Sequence, residues 1–82
     1  MKVLFKDPND DALVVAKVTY ASYSEDLSYD NMGAIHGFYI ELVGGAEIGI
    51  PYMPKEFCDQ LTKELFDNGV LDITHQNVKW LE

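Results

Sequence analysis

Apolar and polar positions alternate in separate stretches as far as about Tyr52, where the spacing becomes that of a helix. Lys2–Lys6 reads as a short strand, ended by Asp7-Pro8-Asn9-Asp10-Asp11. That run is dense in turn formers, because proline fixes φ while Asp and Asn bond their own backbone. A hairpin follows naturally, with a second strand from about 12 to 23. Its even positions Val14, Ala16, Val18 and Tyr20 are apolar, while the odd ones include Lys17 and Thr19. This is the period-2 signature of a strand with one wet face.

Residues 24–33 break the alternation, with Leu27, Tyr29 and Met32 scattered among acids and small polar residues. A third strand over 34–43 puts Phe38, Ile40 and Leu42 on one face and Tyr39 and Glu41 on the other. Gly44-Gly45 turns the chain into a fourth strand over 47–52. A two-residue loop would set Leu42 opposite Glu47 and Ile40 opposite Gly49. A three-residue loop over 44–46 instead pairs Leu42 with Ile48 and Ile40 with Ile50. A one-residue slip turns every side chain over, so the longer loop is expected.

Pro54 suits a first helical position, where its missing N–H costs nothing. Phe57, Cys58, Leu61 and Leu65 make one apolar stripe, and Asn68-Gly69 supplies the stop. Such a helix spans roughly 22 Å at 1.5 Å per residue, and Asp59 with Lys63 is expected to form an i,i+4 ion pair. Residues 70–77 read equally as a short strand through Leu71 and Ile73 or as a turn capped by Asp72. Val78, Trp80 and Leu81 return the chain to the sheet. The expected fold is therefore α+β: a mainly antiparallel sheet of four to five strands in the order β-β-β-β-α-β, with one helix packed on a face. No repeat, linker or low-complexity tract divides the chain, so residues 1–82 are expected to form one small acidic domain.

Charge changes the picture of partners more than of fold. The chain holds 14 Asp and Glu against 6 lysines, with no arginine, for a formal net charge of -8. Nucleic-acid affinity rests largely on Lys and Arg displacing phosphate counterions, so direct nucleic-acid binding is not expected. A basic protein is the better partner. The charged N-terminal residues lack the apolar core of a signal peptide, and no apolar run approaches the roughly 20 residues that cross a bilayer. A cytoplasmic protein with no membrane partner is expected, and a lone cysteine fits a reducing compartment. A core this small would gain from self-association, so a homodimer is a further expectation.

Catalysis needs convergent reactive groups, and few are present. Cys58 lies in the helical stripe, where free cysteine behaves as a small hydrophobe. His36 shares strand parity with Phe38 and Ile40, and His75 falls in the uncertain loop; whether they meet is not legible. The acids at 7, 10 and 11, or at 25, 26 and 30, lack the spacing and closing Glu of a calcium loop. Zinc spacing is absent, and Gly44-Gly45 is not a phosphate cradle. No catalytic residue, metal site or cofactor is therefore expected.

The segment that resists a purely structural reading holds Tyr20, Tyr23 and Tyr29 beside Glu25, Asp26 and Asp30. Tyrosine offers contact area with little entropy to lose, and carboxylates steer a basic partner. These six residues are the candidate partner-binding set, with an open sheet edge as a second route. The expected function is a non-enzymatic protein-interaction module. The alternatives are a nucleic-acid mimic that inhibits a DNA- or RNA-binding protein, or a structural subunit of an oligomer.

Overall fold

A computed structural model of the protein describes residues 1–81. The chain runs β1 (Lys2–Lys6), β2 (Leu13–Leu27), β3 (Ile35–Leu42), β4 (Glu47–Pro51), α1 (Lys55–Asn68), β5 (Val70–Asp72) and β6 (Lys79–Trp80). The fold is α+β, but the sheet has six strands, ordered β5-β1-β2-β3-β4-β6. It is mixed rather than wholly antiparallel, because β5 lies parallel to β1, with Val3 opposite Leu71. The helix makes this possible by carrying the chain back across the sheet before β5 begins. No described helix is long and apolar enough to cross a membrane.

β2 is longer than its alternation suggests, because two bulges interrupt the period. Val18 pairs Leu42 while Tyr20 pairs Glu41, which leaves Thr19 as an extra residue. An extra residue bends a strand and inverts the parity that follows. Val14, Ala16 and Val18 therefore face the core before the bulge, and Ala21 and Tyr23 face it afterwards. Tyr20, expected on the apolar face, is turned outward and is 52 % exposed. The second bulge sets Glu25 and Asp26 against the single residue His36, between the pairs Ser24–Gly37 and Leu27–Ile35.

The β3–β4 hairpin keeps the expected faces with its register displaced by two residues. Ile40 pairs Ile48 and Phe38 pairs Ile50, so the loop is Val43-Gly44-Gly45. Gly44 and Gly45 take φ of 102° and 98°, a region open to glycine at little cost. A shift of two preserves every side-chain face, so alternation alone does not separate the two registers.

Pro54 stands at the helix N-cap, and Gly69 closes the C-terminus at φ 74°, its N–H bonded to the Leu65 carbonyl at 2.8 Å. Cys58 and Leu65 are buried and Leu61 packs beside them. Phe57 departs from the expected stripe and is 58 % exposed. It lies about 100° round the helix from Cys58, over the helix start rather than over the sheet. The ion pairs also differ: Lys55 holds Asp59 at 2.9 Å and Lys63 holds Asp67 at 2.7 Å. Asp59 is thus already engaged, and Lys63 reaches forward instead of back.

The sheet curls around its core until its two ends approach. Trp80 of β6 packs edge-on against Phe5 of β1, with ring centroids 5.6 Å apart. Its indole N–H donates to Asp7 Oδ1 at 3.1 Å. α1 covers the concave side, over Val3, Phe38, Ile40, Ile48, Leu71 and Ile73. On the convex side Leu27 is fully covered, because Gly37 and Gly49 leave room for its side chain across β3 and β4.

Candidate functional site

An opening in the surface lies where β4 gives way to α1. A cleft of about 360 Å³ is lined by Tyr52, Met53, Phe57, Gln76 and Asn77, together with Ile50, Pro51 and Pro54. Two prolines bracket this connection and stiffen it. Between them Tyr52 takes φ 66°, a left-handed backbone that costs a bulky residue of order 1–3 kcal/mol. A backbone hydrogen bond from Tyr52 N–H to the His36 carbonyl at 2.8 Å holds it there. The phenol stays 59 % exposed, so the strain is not offset by burying the ring.

Aromatic groups continue from Tyr52 along the end of the sheet. The His36 ring meets Tyr52 edge-on at 6.0 Å and lies 6.3 Å from Tyr23. The second bulge of β2 puts Glu25 and Asp26 opposite His36 in the strand pairing, both exposed. Apolar ring surface is thus bordered by carboxylates, with Glu56 on the first turn of α1.

The six residues singled out from the sequence divide among three neighbourhoods. Tyr23, Glu25 and Asp26 reach the end of the sheet beside His36. Tyr20 lies on the convex face, 6.1 Å from Tyr39. Tyr29 and Asp30 belong to the β2–β3 turn, where the Lys79 ammonium sits 5.6 Å above the Tyr29 ring. There Asp30 borders a second hollow of about 150 Å³ with Pro8, Asn9, Lys79 and Trp80. Protein-family models, curated proteins and solved structures all give no significant match to the chain.

The groups lining the cleft offer ring surface and hydrogen-bonding partners. Cys58 is buried behind it, its thiol directed to the Met53 carbonyl at 3.6 Å. Burial pushes that thiol up to about 11, so it stays protonated and unreactive near neutrality. Among the described residues no three His, Cys, Asp or Glu side chains gather as a cation-binding group. His36 and His75 are both exposed, His36 on β3 and His75 in the turn after β5. Sequence reading missed Tyr52, Phe57 and the part played by His36. The legible signal was an aromatic residue bracketed by two prolines directly before a helix.

Proposed function

We propose that this protein is a non-enzymatic interaction module that receives a basic protein segment in the Tyr52–Phe57 cleft. Tyr52 carries the reading: a bulky residue held in a left-handed backbone, with its ring left in solvent at the edge of the cleft. Backbone strain of this kind concentrates at binding and catalytic sites, and tyrosine is enriched among the residues that carry the binding energy of protein interfaces. Tyr23 and His36 extend the aromatic surface, while Glu25 and Asp26 steer cations toward it. The sheet edges are the weaker route, since β5 and β6 are only three and two residues long and short edge strands discourage strand addition.

Selection from a random peptide library tests the reading. Enriched peptides are expected to be rich in Lys or Arg beside apolar residues, and to bind less tightly as salt is raised. Their binding should fall on Tyr52→Ala and on Phe57→Ala, with NMR shifts centred on Tyr52, Phe57 and His36. Enriched peptides without basic character, or binding indifferent to both substitutions, would refute it.

A further inference from the structure

The convex face of the sheet, opposite α1, carries charge in an arrangement that the isolated chain does not explain. Lys2 and Lys17 stand directly opposite one another on β1 and β2. Glu41 and Glu47 stand directly opposite one another on β3 and β4. Like charges facing across neighbouring strands destabilise a sheet, and this face has two such pairs of opposite sign. Among the described residues neither lysine has a carboxylate within 4.0 Å. Leu13 and Val15 on β2 add apolar surface beside the lysines, and Tyr20 does so beside the glutamates, all more than half exposed.

We propose that two copies of this chain meet through that face, with the Lys2–Lys17 pair of one copy against the Glu41–Glu47 pair of the other. A twofold contact requires a self-complementary patch, in which residue i meets residue j and j meets i. A basic pair and an acidic pair side by side on one face, joined by β2, satisfy this; a uniformly acidic face does not. Glu47 also accepts a hydrogen bond from the Tyr39 hydroxyl, which leaves its negative charge in place beside Glu41, and the remaining charges of the face have local partners. Lys6 lies 3.9 Å from Asp11, Asp72 is bonded to Thr74, and Lys79 sits over Tyr29. A nucleic acid or an anionic membrane would be attracted by the lysines and repelled by the glutamates beside them, so a second copy is the occupant that fits both. The net charge of -8 does not prevent the contact. Screening acts over about 8 Å at physiological salt, whereas the molecule measures 33 × 29 × 23 Å, so charges on distant faces count for little. The contact leaves the Tyr52–Phe57 cleft free, and it stands or falls independently of the proposed function.

Sedimentation velocity up to about 1 mM protein tests it. A dimer is expected at about 50 mM salt, weakening toward about 500 mM. Lys17→Glu and Glu41→Lys should each weaken dimerisation by at least about ten-fold, since each sets like charges face to face across the contact. An equimolar mixture of the two variants should dimerise again, because Glu at 17 then meets Lys at 41. Lys63→Glu, which changes net charge equally on the exposed side of α1, should leave dimerisation intact. Circular dichroism should show all three variants folded. A strict monomer at about 1 mM in low salt, a mixture that fails to recover, or an equal loss with Lys63→Glu overturns the proposal.

Discussion

Single residues in this protein show how far a neighbour can shift a side chain's chemistry. The Tyr39 hydroxyl donates to Glu47 Oε2 at 2.5 Å. That hydrogen bond, with partial burial and the negative charges of Glu47 and Glu41, raises the phenol from 10.0 to about 12. A phenol raised on folding contributes stability that is complete below its unfolded value and is lost as pH climbs through the folded one. Tyr39 should therefore leave stability unaffected up to about pH 10 and withdraw it between about pH 10 and 12. Ultraviolet titration should show one phenolate forming late, and Glu47→Gln should bring that transition back toward the ordinary tyrosine range. A full set of tyrosines titrating together in the native protein would contradict the Tyr39–Glu47 bond. Asp7 illustrates the opposite sign: hydrogen bonds from the Asn9 N–H and then from Trp80 hold its carboxyl below the usual range.

Among the elements, β2 decides the architecture. Its two bulges turn one long strand into a bent bar that serves both halves of the sheet. The bulge after Val18 turns Tyr20 outward, and the one after Ser24 turns Leu27 onto the convex face. Leu27 is accommodated only because Gly37 and Gly49 lack side chains. A Cβ at Gly37 would collide with the Ile50 carbonyl oxygen and lie 2.7 Å from Leu27 Cδ1. Because one of these obstacles is backbone, little can yield. Gly37→Ala should cost about 3 kcal/mol, at the upper end of overpacking, seen as a lower denaturation midpoint with unchanged slope. Gly33→Ala, with open space around its Cβ position, should change stability by less than about 0.5 kcal/mol. Equal stabilities for the two variants would remove the steric account of Leu27.

At the scale of the whole molecule, the sheet is held in its curl by contacts between its far ends. Trp80 on β6 reaches Phe5 on β1 and donates to Asp7 beyond it. These residues are joined neither by adjacency in sequence nor by strand pairing. Trp80→Ala removes both contacts and should cost about 3 kcal/mol, the lower end for deleting a large aromatic ring because Trp80 is only half-buried. Trp80→Phe keeps the ring contact without the hydrogen bond and should recover most of that loss. If both variants melt with the wild type, closure of the sheet does not depend on this corner.

Most secondary elements were legible before the tertiary structure. Local rules suffice for them: alternation marks β1, β3 and β4, and the spacing of Cys58, Leu61 and Leu65 with Gly69 behind them marks α1. The sequence also carries the net charge of -8 and the scarcity of reactive groups, which need no fold to be counted. It did not disclose the bulges, since an extra residue such as Thr19 has no compositional mark and shows itself only by the partner it lacks. Nor did it disclose the displaced β3–β4 register, because moving two residues leaves every side chain on its former face. The cleft itself comes mostly from one segment, 50–57, joined by Gln76 and Asn77, whereas the aromatic surface beside it belongs to the tertiary structure. Tyr52, His36 and Tyr23 come from three different strands or turns, and only the pairing of β2, β3 and β4 brings them together, at a backbone angle that Tyr52 would not adopt alone. Local pattern determined which segments became strand and helix; long-range pairing decided which faces they shared, because contact between distant residues is a property of the closed chain and not of any stretch of it.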